Sequence, residues 1–453
     1  SQGRLEGAGD LLWRRGDLGL TLDGGARNID LAPGVAGETD TYARRGNGLA
    51  TVIWDARADT RLTTSLMGVL ERQRYRVGQL YRFADNLQWA GRVAGERTSS
   101  LGRMTASMYG TAFQHLSRAS TLDAPVSGSG DRDRQALWQG EFLWNAMARG
   151  VAIDAGTQLR HEQITADRVL DRRRDVSSVE PFVQATITSG AFSVVPGVRS
   201  TFSSQWGTFV APRLAAMWRP RPEFALRASA GRGFRAPDFK ELYLDFVNSA
   251  AGYAVEGNPD LRPERSTALS LGAELTGRRW WGRAGAWATD YRDFIETSEP
   301  DARGTYTYRN LTRGVMRGLE LEGGLERGAW EVDVGADFLH SRDRTSGTAL
   351  LGRAREVVRG SVSGPIAGSM RGTTSVVYTG RTPINRDLAT NALLERGGWA
   401  RVDARLTQPL PSGLTWSLGV TNLLDREMGT SWPGFTGRQF VTSLAWRGGP
   451  VSR

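Results

Sequence analysis

The chain has 453 residues, no cysteine, three histidines and a formal net charge of +10. The absence of cysteine excludes a disulfide framework, a thiolate zinc site and thiol chemistry. Lys240 is the only lysine, so arginines carry almost all of the positive charge. Because these arginines are spread among aspartates and glutamates, with no basic stripe or recognition helix, the charge does not indicate nucleic-acid binding.

The longest apolar runs fall well short of the roughly 18 residues that a membrane-spanning helix needs. If the chain lies in a bilayer, it must therefore cross as strands, whose lumen side can be polar enough to make the whole composition look soluble. One large barrel can take up 453 residues, and no stretch resembles a linker. We expect one barrel over residues 1–446 and a short periplasmic tail over 447–453.

Apolar and polar residues alternate with a period of two along the whole chain, and this pattern predicts strands. The clearest examples are 50–57, 151–160, 269–275, 331–338, 400–406 and 414–421. Counting such segments gives about 21 strands, which we round to about 22 because both ends of a single-chain barrel normally lie on the periplasmic side. The predicted fold class is all-β, a single large antiparallel transmembrane barrel with long extracellular loops and short periplasmic turns.

The second face of several strands carries charges, which excludes the dry core of a β-sandwich. We predict that these charges face the lumen: Arg401, Asp403, Arg405, Glu331, Asp333 and Asp337. They would contact either lumen water or a polar filling of the barrel.

Short proline-containing turns are predicted at the periplasmic end, at 219–222 and 409–413. Polar stretches are predicted as extracellular loops near residues 121–134, 166–177, 238–260, 297–305, 341–352 and 384–398. Six tryptophans lie at or near predicted strand ends, where aromatic girdles meet the membrane interfaces: Trp13, Trp89, Trp138, Trp218, Trp399 and Trp446.

The three histidines, His115, His161 and His340, are far apart in sequence and are interpreted as loop or lumen-wall residues, with no metal site. No arrangement of serine, histidine and carboxylate can be picked out, so we do not expect an enzyme, and no cofactor is indicated.

The segment from Gly437 to Trp446 is predicted to be a closing strand, with Phe440, Leu444 and Trp446 on one face. Soluble domains seldom end on an exposed aromatic strand, whereas a barrel consumes its last strand by pairing it with the first. The chain end therefore favours a closed barrel in a membrane.

Two boxes carry a family resemblance. Residues 231–243 read GRGFRAPDFKELY and residues 257–266 read GNPDLRPERS. Together they resemble the Phe-Arg-Ala-Pro and Asn-Pro-Asp-Leu boxes of the TonB-dependent outer-membrane receptor barrel. The residues that match are Phe234, Arg235, Ala236, Pro237, Asn258, Pro259, Asp260 and Leu261. Further matches are Tyr308-Arg309-Asn310 and Asn422-Leu423-Leu424-Asp425, whereas residues 1–220 match only in strand rhythm, with 5–30 as a first hairpin.

The resemblance implies an outer-membrane transporter of a Gram-negative bacterium that takes up a scarce small-molecule cargo with energy from the TonB complex. A ferric siderophore is the default cargo, and cobalamin or an oligosaccharide stays open. The family's plug domain, through which TonB would act, has no counterpart in residues 1–453, so we expect a plug either upstream in a longer precursor or on a separate chain. In this family the barrel-assembly machinery reads the last strand, here through Gly437, Phe440, Leu444 and Trp446.

The segment 238–257 contains aromatic and charged residues that could hold the cargo: Tyr243, Phe246, Tyr253 and Lys240. Packing of the loop on itself is the alternative explanation. Arg235, Asp238, Arg262 and Glu264 are interpreted first as structural, because charges can pair across adjacent strands. Haem is disfavoured, because haem receptors of this family place a histidine between the two boxes and this chain has none there. Outer-membrane lipid and lipopolysaccharide are expected partners.

A second hypothesis is a scaffold or adhesion barrel that does not transport and that has lost or outsourced its plug. It predicts a lumen blocked by partner proteins and no cargo uptake. An outer-membrane hydrolase is a third and weaker alternative.

Overall fold

Strands make up nearly all of the computed structural model, which describes residues 4–30, 42–77, 80–121, 130–248, 252–298, 300–344, 347–386, 392–426 and 437–447. The strands up to the first box are β1 (Arg4–Arg15), β2 (Leu18–Asp30), β3 (Tyr42–Arg57), β4 (Thr60–Val77), β5 (Leu80–Ser99), β6 (Gly102–Ser120), β7 (Asp131–Ala148), β8 (Val151–Ala166), β9 (Arg173–Ser189), β10 (Phe192–Ser203), β11 (Gly207–Arg221) and β12 (Phe224–Arg235).

After β12 come a short helix, α1 (Phe239–Tyr243), and two short strands, β13 (Asp245–Asn248) and β14 (Tyr253–Glu256). The remaining strands are β15 (Glu264–Thr276), β16 (Trp280–Thr297), β17 (Thr305–Arg327), β18 (Trp330–Asp343), β19 (Glu356–Ala367), β20 (Met370–Thr379), β21 (Thr382–Arg386), β22 (Leu393–Arg396), β23 (Trp399–Pro409), β24 (Leu414–Thr421) and β25 (Gln439–Trp446), with a 3-10 turn at Pro411–Gly413.

Twenty-one of these strands, β1 to β12, β15 to β20 and β23 to β25, pair in succession as one antiparallel meander. This confirms the predicted large antiparallel barrel of about 22 strands. Within the described residues, β1 and β25 each pair with a single neighbour and run in the same direction. No helix among the described residues is long and apolar enough to cross a membrane.

The connections alternate between two ends of the barrel. At one end, which we call the tight-turn end, the turns have two to four residues. Several of these turns contain glycines at positive φ, such as Gly190 at 56° and Gly328 at 64°, as primed two-residue turns require. The longer connections and the two boxes lie at the other end, which we call the loop end.

All six predicted loops lie at the loop end, but two of them contain regular structure. The segment 238–260 holds α1, β13 and β14, and the segment 384–398 holds part of β21 and all of β22. Their bounds were too wide elsewhere, since β7 already begins at Asp131 and β9 at Arg173. The predicted turn at 219–222 is displaced, because β11 continues to Arg221 and the turn consists of residues 222–223. Parts of five predicted loops (122–129, 249–251, 299, 345–346 and 387–391) and the tail beyond Arg447 lie outside the described residues.

Each strand has an apolar outer face and a more polar inner face. Leu269, Leu271, Leu319 and Phe338 all belong to the outer face and are exposed, as expected for side chains that meet lipid. The last strand follows the same rule, since Phe440, Leu444 and Trp446 share one face of β25 and are about 70% exposed (73%, 65% and 71%).

The longest strands extend past the membrane. β5 has 20 residues and β17 has 23, about twice the 9–11 residues that a tilted strand needs to span a bilayer. Trp89 and Trp138 consequently lie in the middle of β5 and β7, so their predicted placement at strand ends was wrong. Both are exposed on the outer face, ten residues from the tight-turn end of their strands.

The histidines agree with expectation only in part, and all three lie in strands. His115 faces inward, where its Nδ1 lies 2.6 Å from Asn86 Oδ1. His161 pairs with the exposed Trp138, and His340 pairs with Arg317, so these two lie on the outer face. The prediction of a loop or lumen-wall position was therefore wrong for His161 and His340.

Tryptophans on the inner face cover glycines of the adjacent strand, and this packing generates a stability prediction. A Cβ added at Gly318 would lie 2.4 Å from Trp287 Cε2, and the Trp287 indole is held by its Nε1 donating to Glu320 Oε1 at 2.8 Å. Gly318→Ala should therefore lower the free energy of unfolding by about 1–3 kcal/mol, because the ring has to leave its position. The measurement is the urea midpoint of the purified protein in detergent.

The matched control is Gly272→Ala, on the same face two strands away, where an added Cβ would meet only Ala284 O at 3.7 Å. It should be neutral or stabilising by up to about 1 kcal/mol, because alanine restricts the unfolded chain. Equal midpoints for the two variants would contradict the packing argument.

Candidate functional site

The candidate site lies at the loop end, where the chain between β12 and β15 folds into α1 and a small hairpin. Asp238 caps α1, with its Oδ1 accepting from the backbone amides of Lys240 and Glu241 at 2.8 Å each. Glu241 Oε2 accepts in return from the Asp238 amide at 2.8 Å, which completes a capping box. This box fixes a helix of only five residues, which would not be stable by its own propensity.

Arg235 joins the two sequence boxes. Its guanidinium donates to both carboxylate oxygens of Glu241 at 3.0 and 3.1 Å, and to Glu264 Oε1 at 2.7 Å. Glu264 is buried and also accepts from the backbone amide of Ile295 at 2.8 Å. Arg235 and Glu264 lie opposite each other on β12 and β15, so the structure shows the cross-strand charge pair that the sequence predicted.

The second box is held from the other side by Asn258. Its backbone amide donates to Glu241 O and its Nδ2 to Tyr308 O, both at 2.8 Å. Leu261 of the same box is 2% exposed and packs with Leu242 and Ile295. Asn258, Pro259, Asp260 and Leu261 thus form a turn locked between α1 and β17.

Two residues of this arrangement had no role assigned to them from the sequence. Asn310 Oδ1 accepts from the Arg262 amide, and its Nδ2 donates back to Arg262 O, both at 2.8 Å. The other is Glu241, which binds Arg235. The Asp-x-x-Glu spacing of 238–241 is the usual signal of a capping box and could have identified Glu241. Asn310 belongs to the matched segment Tyr308-Arg309-Asn310, but that match assigned it no role.

The four predicted cargo-binding residues separate into different environments. Tyr243 packs against Ile164 and Leu242, and its hydroxyl accepts from Gln205 Nε2 at 2.8 Å. Phe246 and Tyr253 form an edge-to-face pair at 6.1 Å. These three aromatic residues support the loop structure.

Lys240 alone among the four lines a cavity of about 640 Å³ at the loop end. The cavity is polar, and five of its other lining residues are charged: Arg160, Glu162, Glu180, Arg235 and Asp238. Arg160 Nε contacts Glu162 Oε1 at 2.6 Å, while Lys240 Nζ lies 3.9 Å from Asp133 Oδ2. Lys240 is the more loosely paired of these two cations.

Aromatic rings complete the cavity wall. Phe234 of the first box lines it and stacks on Phe209 with ring centroids 4.7 Å apart. Trp206, in the connection between β10 and β11, also lines it. The sequence did not identify Arg160, Glu162, Glu180 or Trp206 as a group, because their strands are distant in sequence.

The loop between β16 and β17 is fixed by hydrogen bonds from its backbone to one of its own side chains. Asp301 accepts from the backbone amides of Thr305 and Arg303 at 2.9 Å each. These two bonds hold the pKa of Asp301 below its ordinary value, and the bond from the Thr305 amide has the larger effect. The loop therefore keeps a charged, backbone-bound carboxylate.

The predicted lumen charges lie on the inner face of β18 and β23, opposite the exposed apolar residues. Their contacts are Asp337–Arg359 at 2.6 Å, Asp333–Ser361 at 3.5 Å, Glu331–Arg371 at 3.9 Å and Arg401–Asp403 at 3.1 Å. Asp403 Oδ1 also accepts from the Asn422 amide at 2.8 Å. Arg405 lies on the same face, opposite Thr373 and Gly419. In the part of the chain that the structure describes, no cluster of three potential metal ligands is present.

These features define the class of protein: a large antiparallel membrane barrel whose loop end carries a braced polar cavity. A family model described as TonB dependent receptor-like, beta-barrel, matches residues 8–423. The chain therefore belongs to the TonB-dependent receptor β-barrel family.

Individual relatives are distant. The chain is 23% identical over 298 residues to the vitamin B12 transporter BtuB of Photobacterium profundum, an alignment that covers 64% of this chain and 46% of the relative. It is 24% identical over 271 residues to an iron-regulated outer membrane virulence protein of Vibrio cholerae, covering 56% and 42%. The chain thus spans less than half the length of these two curated relatives.

Among solved structures, the siderophore receptor PirA from Acinetobacter baumannii matches with a TM-score of 0.80 at 13% identity. That match covers 98% of this chain and 77% of the PirA chain. At this identity the similarity shows the fold alone.

The Arg235 contacts generate a prediction about the loop end. Arg235→Gln would leave the buried Glu264 carboxylate without its cation, at a cost of about 1–3 kcal/mol. The segment 236–263 should then become more sensitive to limited proteolysis, because α1 and the second box lose their common support. Cleavage rates followed by mass spectrometry would measure the effect.

Arg262→Gln is the control, because the Arg262 side chain is 68% exposed and pairs with Asp293 at the surface. Its loss should change the cleavage rate little, as expected for an exposed ion pair. If both variants are cleaved at the wild-type rate, Arg235 does not brace the segment.

Proposed function

We propose that this protein is the barrel of an outer-membrane transporter that takes up a scarce small-molecule cargo in a TonB-dependent step, with a ferric siderophore as the favoured cargo. The observation that carries the proposal is the polar cavity at the loop end, which residues of the first box line. A cavity of about 640 Å³ is within the range of small-molecule sites. Family membership and the relative named as a vitamin B12 transporter support uptake of a small molecule.

The cavity can attract an anionic cargo only through a cation that is able to exchange its present ionic partner for the cargo. Lys240, whose side chain is 55% exposed, can turn from Asp133 to an incoming anion at little cost. Trp206 and Phe234 offer apolar contact area beside it. A ferric siderophore combines negative charge with aromatic or aliphatic surface, and so fits this lining.

The proposal includes the partners that such transport needs. A plug, upstream or on another chain, would close the lumen and carry the contact with TonB. The inward charges of β18 and β23 would supply hydrogen-bonding groups to it. The barrel-assembly machinery would read β25, and lipopolysaccharide would surround the outer face. No bond-making chemistry is involved.

Uptake in whole cells tests the function. Cells that lack other siderophore receptors and express the native protein would be given radioactive iron bound to a catecholate or a hydroxamate siderophore, or labelled cobalamin. We expect accumulation of one ferric siderophore that stops when the inner-membrane proton gradient is collapsed. If the assembled protein takes up none of the three in an energy-dependent manner, the transport proposal fails.

Lys240→Gln tests the cavity directly. Loss of one charge-assisted contact should weaken binding of the transported ferric siderophore about 5- to 10-fold, equivalent to about 1–1.4 kcal/mol. Affinity is measured by quenching of tryptophan fluorescence on the purified protein.

Arg303→Gln is the control for overall charge, since Arg303 lies on a neighbouring loop and its side chain is 77% exposed. It should bind within about twofold of wild type, because it lines no part of the cavity. Equal losses in the two variants would indicate a diffuse charge effect and not a site at Lys240.

A further inference from the structure

The cavity at the loop end carries balanced charges. Three of its lining residues are cations and three are carboxylates: Arg160, Arg235, Lys240, Glu162, Glu180 and Asp238. Their formal charges therefore cancel. The chain as a whole has a net charge of +10, so this balance is a property of the cavity and does not follow from the composition.

The residues that pair with the lining from behind shift the balance towards negative charge. They are one cation and three carboxylates: Arg199, Asp133, Glu241 and Glu264. None of these four residues lines the cavity itself. With them included, four cations stand against six carboxylates around the space that a cargo would fill.

Two of the lining carboxylates are fixed in position. Glu180 accepts from Arg199 Nε at 2.9 Å and from the Ser178 hydroxyl at 3.1 Å, and its side chain is only 16% exposed. Asp238 is held by the backbone amides at the start of α1. These carboxylates cannot turn away from a bound molecule, so they remain close to any anion that enters.

Arg160 cannot serve an anionic cargo without exposing its own partner. Arg160 and Glu162 lie two residues apart on β8, and their side chains are in contact at 2.6 Å. Both residues line the cavity. If Arg160 turned to the cargo, the Glu162 carboxylate would stay beside the same cargo, and the cavity would gain no net positive charge.

Arg235 is held more firmly than Lys240. It makes hydrogen bonds of 3.0, 3.1 and 2.7 Å to Glu241 and Glu264, and the Glu264 side chain is 10% exposed. Releasing Arg235 would leave a buried carboxylate without its cation, which is strongly unfavourable. Lys240 lies 3.9 Å from Asp133 and is 55% exposed. Of the three lining cations, Lys240 alone can be transferred to a cargo.

The remaining polar groups of the lining are neutral hydroxyls and amides. They include Gln135, Ser178, Thr201, Ser203 and Gln205. Such groups can donate to and accept from neutral oxygen and nitrogen atoms of a ligand. The rings of Trp206 and Phe234 add apolar contact area. This lining suits a cargo that is polar but carries little net charge.

We propose that the cavity selects a ferric complex that is neutral or carries one negative charge, of the hydroxamate type, and rejects a trianionic catecholate complex. This inference rests on the proposed uptake of a ferric siderophore. A ferric ion with three singly charged hydroxamates is neutral, whereas with three doubly charged catecholates it keeps three negative charges. Lys240 can balance one of these three. The other two would lose water beside fixed carboxylates, which disfavours the trianion.

Binding of two ferric complexes to the native protein in detergent tests this charge limit. The probes are ferrichrome, a neutral trihydroxamate, and ferric enterobactin, a trianionic catecholate complex, and affinity is followed by quenching of tryptophan fluorescence. We expect ferrichrome to bind at least about tenfold more tightly. Its affinity should change less than about twofold between about 50 and 300 mM salt, because salt does not screen a neutral cargo.

Glu162→Gln separates the charge of the cargo from its shape. The substitution leaves Arg160 without its partner, and so gives the cavity a second available cation at almost the same volume. The affinity for ferric enterobactin should rise about 5- to 10-fold, whereas the affinity for ferrichrome should stay within about twofold of wild type.

Asp337→Asn is the matched control. Asp337 lies on the inner wall, does not line the cavity, and pairs with Arg359 at 2.6 Å, the same distance as in the pair of Glu162 with Arg160. Its side chain is 32% exposed, against 34% for Glu162. This variant makes the same change in net charge and should leave both affinities within about twofold of wild type.

The outcomes separate the charge limit from the proposed function. The charge limit is overturned if wild type binds ferric enterobactin as tightly as ferrichrome or more tightly, if E162Q leaves the ratio of the two affinities unchanged, or if D337N changes it as much as E162Q does. A ferric siderophore still binds in these cases, so the proposed cargo stands. If neither complex binds, the proposed cargo is wrong and the charge limit falls with it. The wild-type ratio and its salt dependence decide the question even if E162Q does not assemble.

Discussion

The hydrogen-bond requirement of the backbone in lipid controls this structure. No water is available inside a bilayer, so every backbone amide and carbonyl must be paired within the protein, and strands achieve this only by pairing with neighbours. The twenty-one-strand meander satisfies the requirement for the strands between β1 and β25. Because side chains alternate across each strand, the same ladders also separate lipid-facing leucines from inward charges. The two faces are therefore free to carry different functions.

The loop end obeys a different constraint. Above the membrane the backbone no longer has to pair in strands. Hydrogen bonds from side chains fix it there instead. Arg235, Glu241, Asn258 and Asn310 each bind backbone or charge from another segment. The result is a rigid wall around a cavity whose remaining lining, including Lys240, is more loosely held. Rigid support with adjustable contacts is the usual arrangement of a binding site.

The features that could be predicted from the sequence are those with a local signal. The outer and inner faces of β15, β18, β23 and β24 follow from strict alternation, which needs no knowledge of neighbouring strands. The five-residue helix α1 and the short strands β13, β14, β21 and β22 were missed because so few residues carry no periodic pattern. Trp89 and Trp138 were misplaced because alternation does not reveal where a strand leaves the membrane. The cavity depends on register between strands, which a single sequence does not contain.

The pairing of β14 with β17 has a consequence for how the protein folds. Residues 254–256 run parallel to 305–307, with β15 and β16 between them in sequence, unlike the antiparallel neighbours of the barrel wall. A parallel pair of this kind closes a loop of about 50 residues and gains nothing until that loop is formed. The hairpin of β15 and β16 brings the two segments together, so this parallel pair at the loop end depends on wall strands that lie between its members in the chain.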